Sequence, residues 1–157
     1  DPRALTVDWI EKYLYWIEGN SQTIMRSTFN GSAVQTVLRS GMDDPRSLAL
    51  LPCEKLVYWA QWGKRPSIKS VWTSGKVIKT VLNRNLQWPT GLTIDQAEGR
   101  IFWVDAKKDI IESSLLDGTD RKIIVSAPGI TLRSIAVFGE FLYWTDPSTS
   151  NIKRVSK

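Results

Sequence analysis

The chain has 157 residues, of which 42% are hydrophobic and 24% charged, fractions that are typical of a globular domain and not of a disordered chain. It has 21 Lys and Arg residues against 16 Asp and Glu, a net charge of +5, and no His. Because His is the commonest general base and a common metal ligand, the composition excludes Ser-His-Asp and Cys-His catalytic centres and Cys/His zinc sites built from this chain alone. The basic residues are scattered and form no stripe, which argues against a nucleic-acid partner.

An aromatic pair recurs four times along the chain. The pairs are Tyr15-Trp16, Tyr58-Trp59, Phe102-Trp103 and Tyr143-Trp144, at intervals of 41 to 44 positions. Each pair is preceded by a segment in which apolar residues alternate with small or polar ones, and is followed by a further short apolar segment. This alternation is the period-2 pattern of a β-strand. The repetition therefore predicts four copies of one β unit.

The predicted strands follow one another in the same order in each copy. In the first copy they lie at 2–7, around Tyr15-Trp16, from 24 and at 34–38, and in the second at 45–50, around Tyr58-Trp59, from 68 and at 77–82. The third copy places them at 89–94, around Phe102-Trp103, from 110 and at 121–125, and the fourth at 132–137, around Tyr143-Trp144 and from 152.

Tight turns separate the last two strands of the first three copies. The turn dipeptides are Asn30-Gly31, Ser74-Gly75 and Asp117-Gly118, in which Gly tolerates positive φ and the preceding residue favours a turn. Four antiparallel strands in 40 to 45 residues are the blade of a β-propeller, whereas a β-sandwich would not need the same markers four times in one order. We therefore expect one partial propeller over 1–157, with copies at 1–43, 44–87, 88–130 and 131–157, the last incomplete.

The residues around the aromatic pairs resemble the Tyr-Trp-Thr-Asp repeats of the low-density lipoprotein receptor family. Tyr143-Trp144-Thr145-Asp146 is that motif, Phe102-Trp103-Val104-Asp105 is a close variant, and Tyr15-Trp16-Ile17-Glu18 and Tyr58-Trp59-Ala60-Gln61 are looser variants. The resemblance covers the whole chain. It implies an all-β fold, a six-bladed β-propeller of which about three and a half blades are present. It also implies flanking growth-factor-like modules, with the remaining blades supplied by the same parent chain or by a second chain.

The motif residues are expected to have structural roles. A large aromatic pair on the second strand of each blade would fill the space between blades, where one aromatic side chain buries roughly 150 to 250 Å². The predicted inter-blade residues are Tyr15, Trp16, Tyr58, Trp59, Phe102, Trp103, Tyr143 and Trp144. The resemblance further implies that Asp105 and Asp146 accept hydrogen bonds that join adjacent blades. Glu18, which is longer, and Gln61, which is neutral, are weaker candidates for this role.

Candidate binding residues lie in loops that this topology places on one face. Trp62, Lys64 and Arg65 occupy the loop between the second and third strands of the second copy, and an aromatic beside basic residues has the composition of a protein-binding hot spot. Trp88, Arg46 and Arg133 lie near the entries to first strands, on the same face. The alternative is that Trp62 and Trp88 only cover the rim of the central channel, with the basic residues solvated.

Two further residues are candidates for modification or pairing. Asn30-Gly31-Ser32 is an N-glycosylation sequon on a predicted exposed turn. Cys53 is the only Cys, so the chain alone has no disulfide. No segment has the closely spaced oxygen ligands of a calcium loop, and six-bladed propeller hydrolases and lactonases draw on His residues that are missing here. The sequence therefore predicts no metal, no cofactor and no enzymatic activity.

The function that the resemblance implies is that of a non-enzymatic, extracellular propeller in a lipoprotein-receptor-like endocytic receptor at the cell surface. It would bind a lipoprotein-like, growth-factor-like or matrix protein through one loop face. Any membrane anchor of such a single-pass receptor would lie in a segment absent from this chain. The alternatives are the ectodomain of a signalling co-receptor of the same family and a nidogen-like module of the secreted extracellular matrix.

Overall fold

The computed structural model describes residues 1–126 and 128–157 and contains fifteen β-strands in this part of the chain. The first sheet comprises β1 Pro2–Asp8, β2 Tyr13–Glu18, β3 Thr23–Thr28 and β4 Gln35–Leu38. The second comprises β5 Pro45–Leu51, β6 Leu56–Gln61, β7 Ser67–Trp72 and β8 Lys79–Leu82. The third comprises β9 Pro89–Asp95, β10 Arg100–Asp105, β11 Ile110–Leu115 and β12 Lys122–Ser126. The fourth comprises β13 Ile135–Phe138, β14 Phe141–Asp146 and β15 Asn151–Ser156.

Each sheet is an antiparallel meander whose strands pair in sequence order. The first strands β1, β5, β9 and β13 lie beside one another from sheet to sheet, so the sheets radiate from a common inner side as propeller blades do. A single turn of 3-10 helix at Pro52–Glu54 joins β5 to β6. No helix in residues 1–126 or 128–157 has the length and apolar character that crossing a membrane requires.

Three hydrophobic cores fill the spaces between successive sheets. On each second strand the two aromatic side chains point to opposite sides, because side chains alternate along a strand. The first aromatic of the pair therefore faces the following sheet, and the Trp faces the preceding one. The cores accordingly contain Tyr15 with Trp59, then Tyr58 with Trp103, then Phe102 with Trp144.

The two outermost faces lack such a partner. Trp16 is only half-buried and lies opposite Leu5, which is 63% exposed, on the free face of the first sheet. Tyr143 is half-buried on the free face of the fourth sheet, where Phe138 is 79% exposed. The sequence predicts Trp16 and Tyr143 between blades. In the structure they face outward, because no other sheet among the described residues packs against these two faces.

The fourth motif position joins neighbouring sheets in two of the copies. The Asp105 carboxylate accepts hydrogen bonds from the backbone amides of Gln87 at 2.7 Å and Trp88 at 3.0 Å, in the segment arriving from the second sheet. Gln61 does the same with its neutral amide oxygen, which accepts from the Trp59 indole at 2.9 Å and from the Asp43 amide at 3.3 Å. A hydrogen-bond acceptor is therefore sufficient at this position, and a charge is not required.

Asp146 has a different role. Its oxygens accept from the Ser148 amide at 3.1 Å, the Thr149 hydroxyl at 2.9 Å and the Lys153 ammonium at 2.7 Å, all within the fourth sheet and its own turn. Local donors occupy the carboxylate, and among residues 1–126 and 128–157 no hydrogen bond joins Asp146 to an adjacent sheet. The hydrogen bond from Lys153 contributes most to the electrostatics of this carboxyl, and it holds the pKa of Asp146 well below its usual range.

Candidate functional site

The candidate binding residues are positioned by the register of the second and third sheets. Pro45 at the start of β5 and Ser67 at the start of β7 both pair with Gln61 at the end of β6, so these segments share one end of the sheet. Asp105 pairs in the same way with Pro89 and Ile110 in the third sheet. We call this end, which carries the β6–β7 and β10–β11 loops and the segments entering β5, β9 and β13, the loop face.

Two tryptophans from different sheets stack on the loop face. Trp62 follows β6 and Trp88 precedes β9, and their ring centroids are 5.4 Å apart with an angle of 20° between the planes. The Trp62 indole donates to the Pro89 carbonyl at 3.0 Å, and the Trp88 carbonyl accepts from the Ala106 amide at 2.9 Å. Trp88 is nevertheless 45% exposed. The pair is therefore held in place by backbone contacts while it offers aromatic surface to solvent.

Cationic side chains flank this stack. The Arg46 guanidinium carbon lies 4.0 Å from the ring centre of Trp62, and the Lys107 nitrogen lies 4.9 Å from that of Trp88. Each such contact contributes about 0.5–1 kcal/mol at an exposed site. The arrangement gives the stack a positive rim, which suits a partner surface that carries negative charge or hydrogen-bond acceptors.

Asp44 fixes the position of Arg46. One carboxylate oxygen accepts from Arg46 at 2.6 Å and the other from Arg3 at 2.5 Å. Burial by itself would raise the pKa of Asp44, but the hydrogen bonds and charges of Arg46 and Arg3 outweigh it, and this pKa lies below its usual value. Within the described residues, the Nε atom of Arg46 is buried without a hydrogen-bond partner.

A cavity of about 540 Å³ opens beside the stack. Its lining includes Arg46, Trp62, Trp88, Thr90, Leu132 and Arg133, which lie in strands of the second and third sheets, in the β6–β7 loop and in the segments that connect the second, third and fourth sheets. The wall of the cavity depends on a close approach at Gly91, where an added Cβ would lie 2.6 Å from the Arg133 carbonyl oxygen. Thr90 also donates to that carbonyl, at 3.2 Å. This cavity and the tryptophan stack form the site that we call the tryptophan cavity.

The structure brings together four of the six predicted binding residues. Arg46, Trp62, Trp88 and Arg133 all line the tryptophan cavity. Lys64 and Arg65 do not, and instead line a second cavity beside Asp43. Lys107 also contacts the stack and is not among the residues that the sequence predicts. It lies in the β10–β11 loop, which is the same kind of loop in the third copy as the one that drew attention to Trp62 in the second.

The remaining candidates lie elsewhere. Asn30 is exposed in the β3–β4 turn, next to the strand end where Thr28 pairs with Tyr13, and this is the end opposite the loop face. Cys53 is exposed in the 3-10 turn. In residues 1–126 and 128–157, no three carboxylate or thiol groups lie close enough together to hold a metal ion.

Comparison with solved structures identifies the architecture. The chain superposes on a chain of the nidogen/laminin complex with a TM-score of 0.79 at 20% identity, over 99% of this chain and 75% of the other. This likeness concerns the fold alone. Together with the four radiating sheets, it confirms the prediction of an all-β, partial β-propeller.

Comparison with sequences identifies the family. The profile described as low-density lipoprotein receptor repeat class B matches residues 12–52, 55–96 and 99–138. The chain belongs to this family, and the resemblance inferred from the aromatic motifs is confirmed.

Two receptor-like proteins are similar to this chain in sequence. The chain is 34% identical over 157 residues to low-density lipoprotein receptor-related protein 5-like protein of Homo sapiens, covering 62% of that protein. It is 38% identical over 154 residues to the vitellogenin receptor of Solenopsis invicta, covering 98% of this chain and 9% of that receptor. The chain thus spans less than two thirds of the length of the human protein and under a tenth of the length of the vitellogenin receptor.

Proposed function

We propose that this chain is a non-enzymatic, extracellular propeller that binds a protein partner through the tryptophan cavity. The stacked pair of Trp62 and Trp88, flanked by Arg46 and Lys107 beside a cavity of about 540 Å³, carries this proposal. Trp and Arg in partly buried pockets account for much of the binding free energy of protein interfaces. The absence of His from the sequence supports a binding role over catalysis.

The parent protein that we propose is a lipoprotein-receptor-like endocytic receptor at the cell surface, with lipoprotein-like cargo. Its similarity to a vitellogenin receptor favours this role. The four copies, 1–43, 44–87, 88–130 and 131–157, would be blades of a six-bladed ring. The free faces at Trp16 and Tyr143 would then be covered by the other blades, each supplying the aromatic that these faces lack.

Two other roles remain as second candidates. Similarity to the human receptor-related protein 5-like protein favours the ectodomain of a signalling co-receptor that binds a growth-factor-like ligand. The other is a nidogen-like module of the secreted extracellular matrix, which the shared propeller fold permits. All three roles use a propeller as a rigid support for binding loops, so the tryptophan cavity is the site to test in each case.

The test is binding of a purified lipoprotein particle and, separately, of laminin to the immobilised protein, measured by surface plasmon resonance. Trp62→Ala and Trp88→Ala should weaken binding of the true partner at least about tenfold, as expected for hot-spot tryptophans. Trp72→Ala is the matched control, because Trp72 is 46% exposed and lies at the opposite end of the second sheet.

The outcomes separate the alternatives. Binding of the lipoprotein particle alone supports the endocytic role, and binding of laminin alone supports the matrix role. The proposed site is rejected if either partner binds the wild type and both cavity variants equally well, or if Trp72→Ala loses as much. Thermal unfolding of each variant shows whether a loss of binding reflects a loss of folding.

A further inference from the structure

A second cavity on the loop face is separate from the tryptophan cavity. It has a volume of about 540 Å³ and lies at the edge of the second sheet, on the side that faces the first sheet. Its wall contains Lys64, Arg65 and Lys69 together with Gln61, Ser67 and Asp43. The β6–β7 loop separates the two cavities: Trp62 lines one of them, and Lys64 and Arg65 line the other.

The charged groups around this cavity leave an excess of positive charge. Three cations face a single carboxylate, and that carboxylate is already engaged, since Asp43 accepts from the backbone amide of Lys64 at 2.6 Å. The Lys69 ammonium donates to the Gly41 carbonyl at 3.1 Å, which anchors the ammonium group without neutralising it. Lys64 and Arg65 line the cavity and are exposed to solvent.

Neutral donors lie deeper in the same wall. Ser67 is 3% exposed, and its hydroxyl is buried without a hydrogen-bond partner among the described residues. Gln61 is also buried, and its amide oxygen is occupied by the Trp59 indole and the Asp43 amide. Its amide nitrogen is therefore the group left to donate toward the cavity. A buried hydroxyl without a partner costs folding free energy, and this cost is recovered when a ligand oxygen bonds to it.

We propose that this cavity binds the carboxylate side chain of an acidic peptide segment. Lys64 and Arg65 would attract the carboxylate, Lys69 would pair with it, and Ser67 and Gln61 would donate hydrogen bonds to its oxygens. Hydrogen bonds to a charged acceptor are about twice as strong as neutral ones, so a site of this composition discriminates Glu from Gln. A sulfated polysaccharide would need a continuous basic stripe, and only this one group of cations is present at the cavity.

The probe is a hexaglutamate peptide titrated into the isotope-labelled protein, with hexaglutamine as the neutral comparison and NMR shifts as the readout. Hexaglutamate should shift the side-chain amide signal of Gln61, and hexaglutamine should not. Arg65→Gln and Ser67→Ala should each weaken the binding about tenfold, the loss expected for one charge-assisted hydrogen bond. Lys76→Gln, an exposed Lys at the opposite end of the sheet, should bind as the wild type does.

Ser67→Ala separates a binding role from a structural one. The hydroxyl has no hydrogen-bond partner among the described residues, so its removal should leave the protein at least as stable to unfolding while it weakens binding. Equal binding of hexaglutamate and hexaglutamine, or equal losses in Lys76→Gln and Arg65→Gln, would overturn the proposal. Tighter binding of a heparin-derived hexasaccharide at the same signals would also overturn it. Trp62→Ala and Trp88→Ala should leave hexaglutamate binding intact, so this test does not depend on the proposed function.

Discussion

At the residue scale, a hydrogen-bond acceptor at the end of a sheet's second strand bonds to the segment that leads into the same sheet. This occurs in the second and third sheets. The Asp105 carboxylate is fully buried and receives the backbone amides of Gln87 and Trp88, so it also fixes the backbone of one half of the tryptophan stack. Gln61 plays the same part for the segment before β5. The position of the residues in the tryptophan cavity thus depends on Asp105 and Gln61, two side chains that do not line that cavity.

This arrangement predicts the effect of truncating Asp105. Asp105→Ala removes a buried carboxylate and leaves the backbone amides of Gln87 and Trp88 without this acceptor, so it should lower the free energy of unfolding by about 2–4 kcal/mol. Asp105→Asn, which keeps one acceptor oxygen, should cost less. Urea titration measures both. Asp146→Ala is the comparison, because its carboxylate bonds only within its own sheet and turn; it should leave the tryptophan cavity unaffected. A change below about 0.5 kcal/mol in Asp105→Ala would contradict this account.

At the scale of the strands, the same motif position has different environments in different copies. Trp103 and Trp16 are both the second aromatic of their pairs, yet Trp103 is fully buried between two sheets and Trp16 is half-buried on a free face. The surroundings of a motif residue depend on whether another sheet packs on its side.

The two tryptophans should therefore respond differently to truncation. Trp103→Ala removes a buried indole and should cost about 3–5 kcal/mol. Trp16→Ala removes a side chain that packs on one side only and should cost about 1–2 kcal/mol, for the smaller area that it buries. The urea midpoints of the two variants show whether their losses in free energy of unfolding differ in this way. Equal losses would mean that the face around Trp16 is covered in solution.

The β3–β4 turn carries a further prediction at this scale. Asn30 is exposed, and its side-chain oxygen accepts from the Ser32 hydroxyl at 2.7 Å and the Ser32 amide at 3.0 Å. We expect a glycan at Asn30 when the protein is made in a secretory pathway, seen as a mass increase that Ser32→Ala abolishes. Because this turn lies opposite the loop face, removal of the glycan should leave partner binding unchanged; an unmodified Asn30 would contradict the expectation.

At the scale of the whole molecule, the absence of His determines how stability varies with pH. Hydrogen bonds from Lys122 and Arg100 lower the pKa of Asp120, and those from Lys153 and the Asp146 turn lower the pKa of Asp146. A carboxyl whose pKa is lower in the folded state stabilises the fold above its unfolded value of about 3.9, and this stabilisation is lost as pH falls through the folded value.

The free energy of unfolding should therefore be nearly constant between pH 7.5 and 5.5 and should fall below about pH 4. Urea titrations across this range test the expectation. Lys153→Met, which removes the main partner of Asp146, should flatten the loss at low pH. A marked drop between pH 7.5 and 5.5 would show a titrating group with a raised pKa that this account does not contain.

The two free faces lead to a prediction about association. Leu5 and Val7 beside Trp16 at one end, and Phe138 and Ile152 beside Tyr143 at the other, expose apolar surface of the kind that fills the inner cores. We expect the 157-residue chain on its own to associate, with a mass by light scattering above 17.8 kDa. Leu5→Glu with Phe138→Glu should shift it to the monomer, and Lys76→Gln should not. A wild-type monomer at high concentration would contradict this expectation.

Much of the fold could be predicted because its signals are local. Alternating apolar residues predict a strand, and turn dipeptides such as Asn30-Gly31 predict a turn, from only a few neighbouring positions. These signals recur in the same order around each of the aromatic pairs. The roles of individual polar residues could not be predicted in the same way. Gln61 was a weaker candidate for a bond to the adjacent blade and makes it, whereas Asp146 carries the full motif and does not. What differs is the set of donors that the fold brings within reach.

The sequence by itself determined the propeller architecture and the family, because strand periodicity and a repeated motif are properties of the chain order. It also excluded catalysis by His. Only the tertiary structure decided which loop residues share a cavity. It stacked Trp62 on Trp88 and brought Arg46 and Lys107 to that stack, and it assigned Lys64 and Arg65 to a second cavity. The physical reason is that these contacts join different sheets, so their geometry is set by how whole blades pack and not by spacing along the chain.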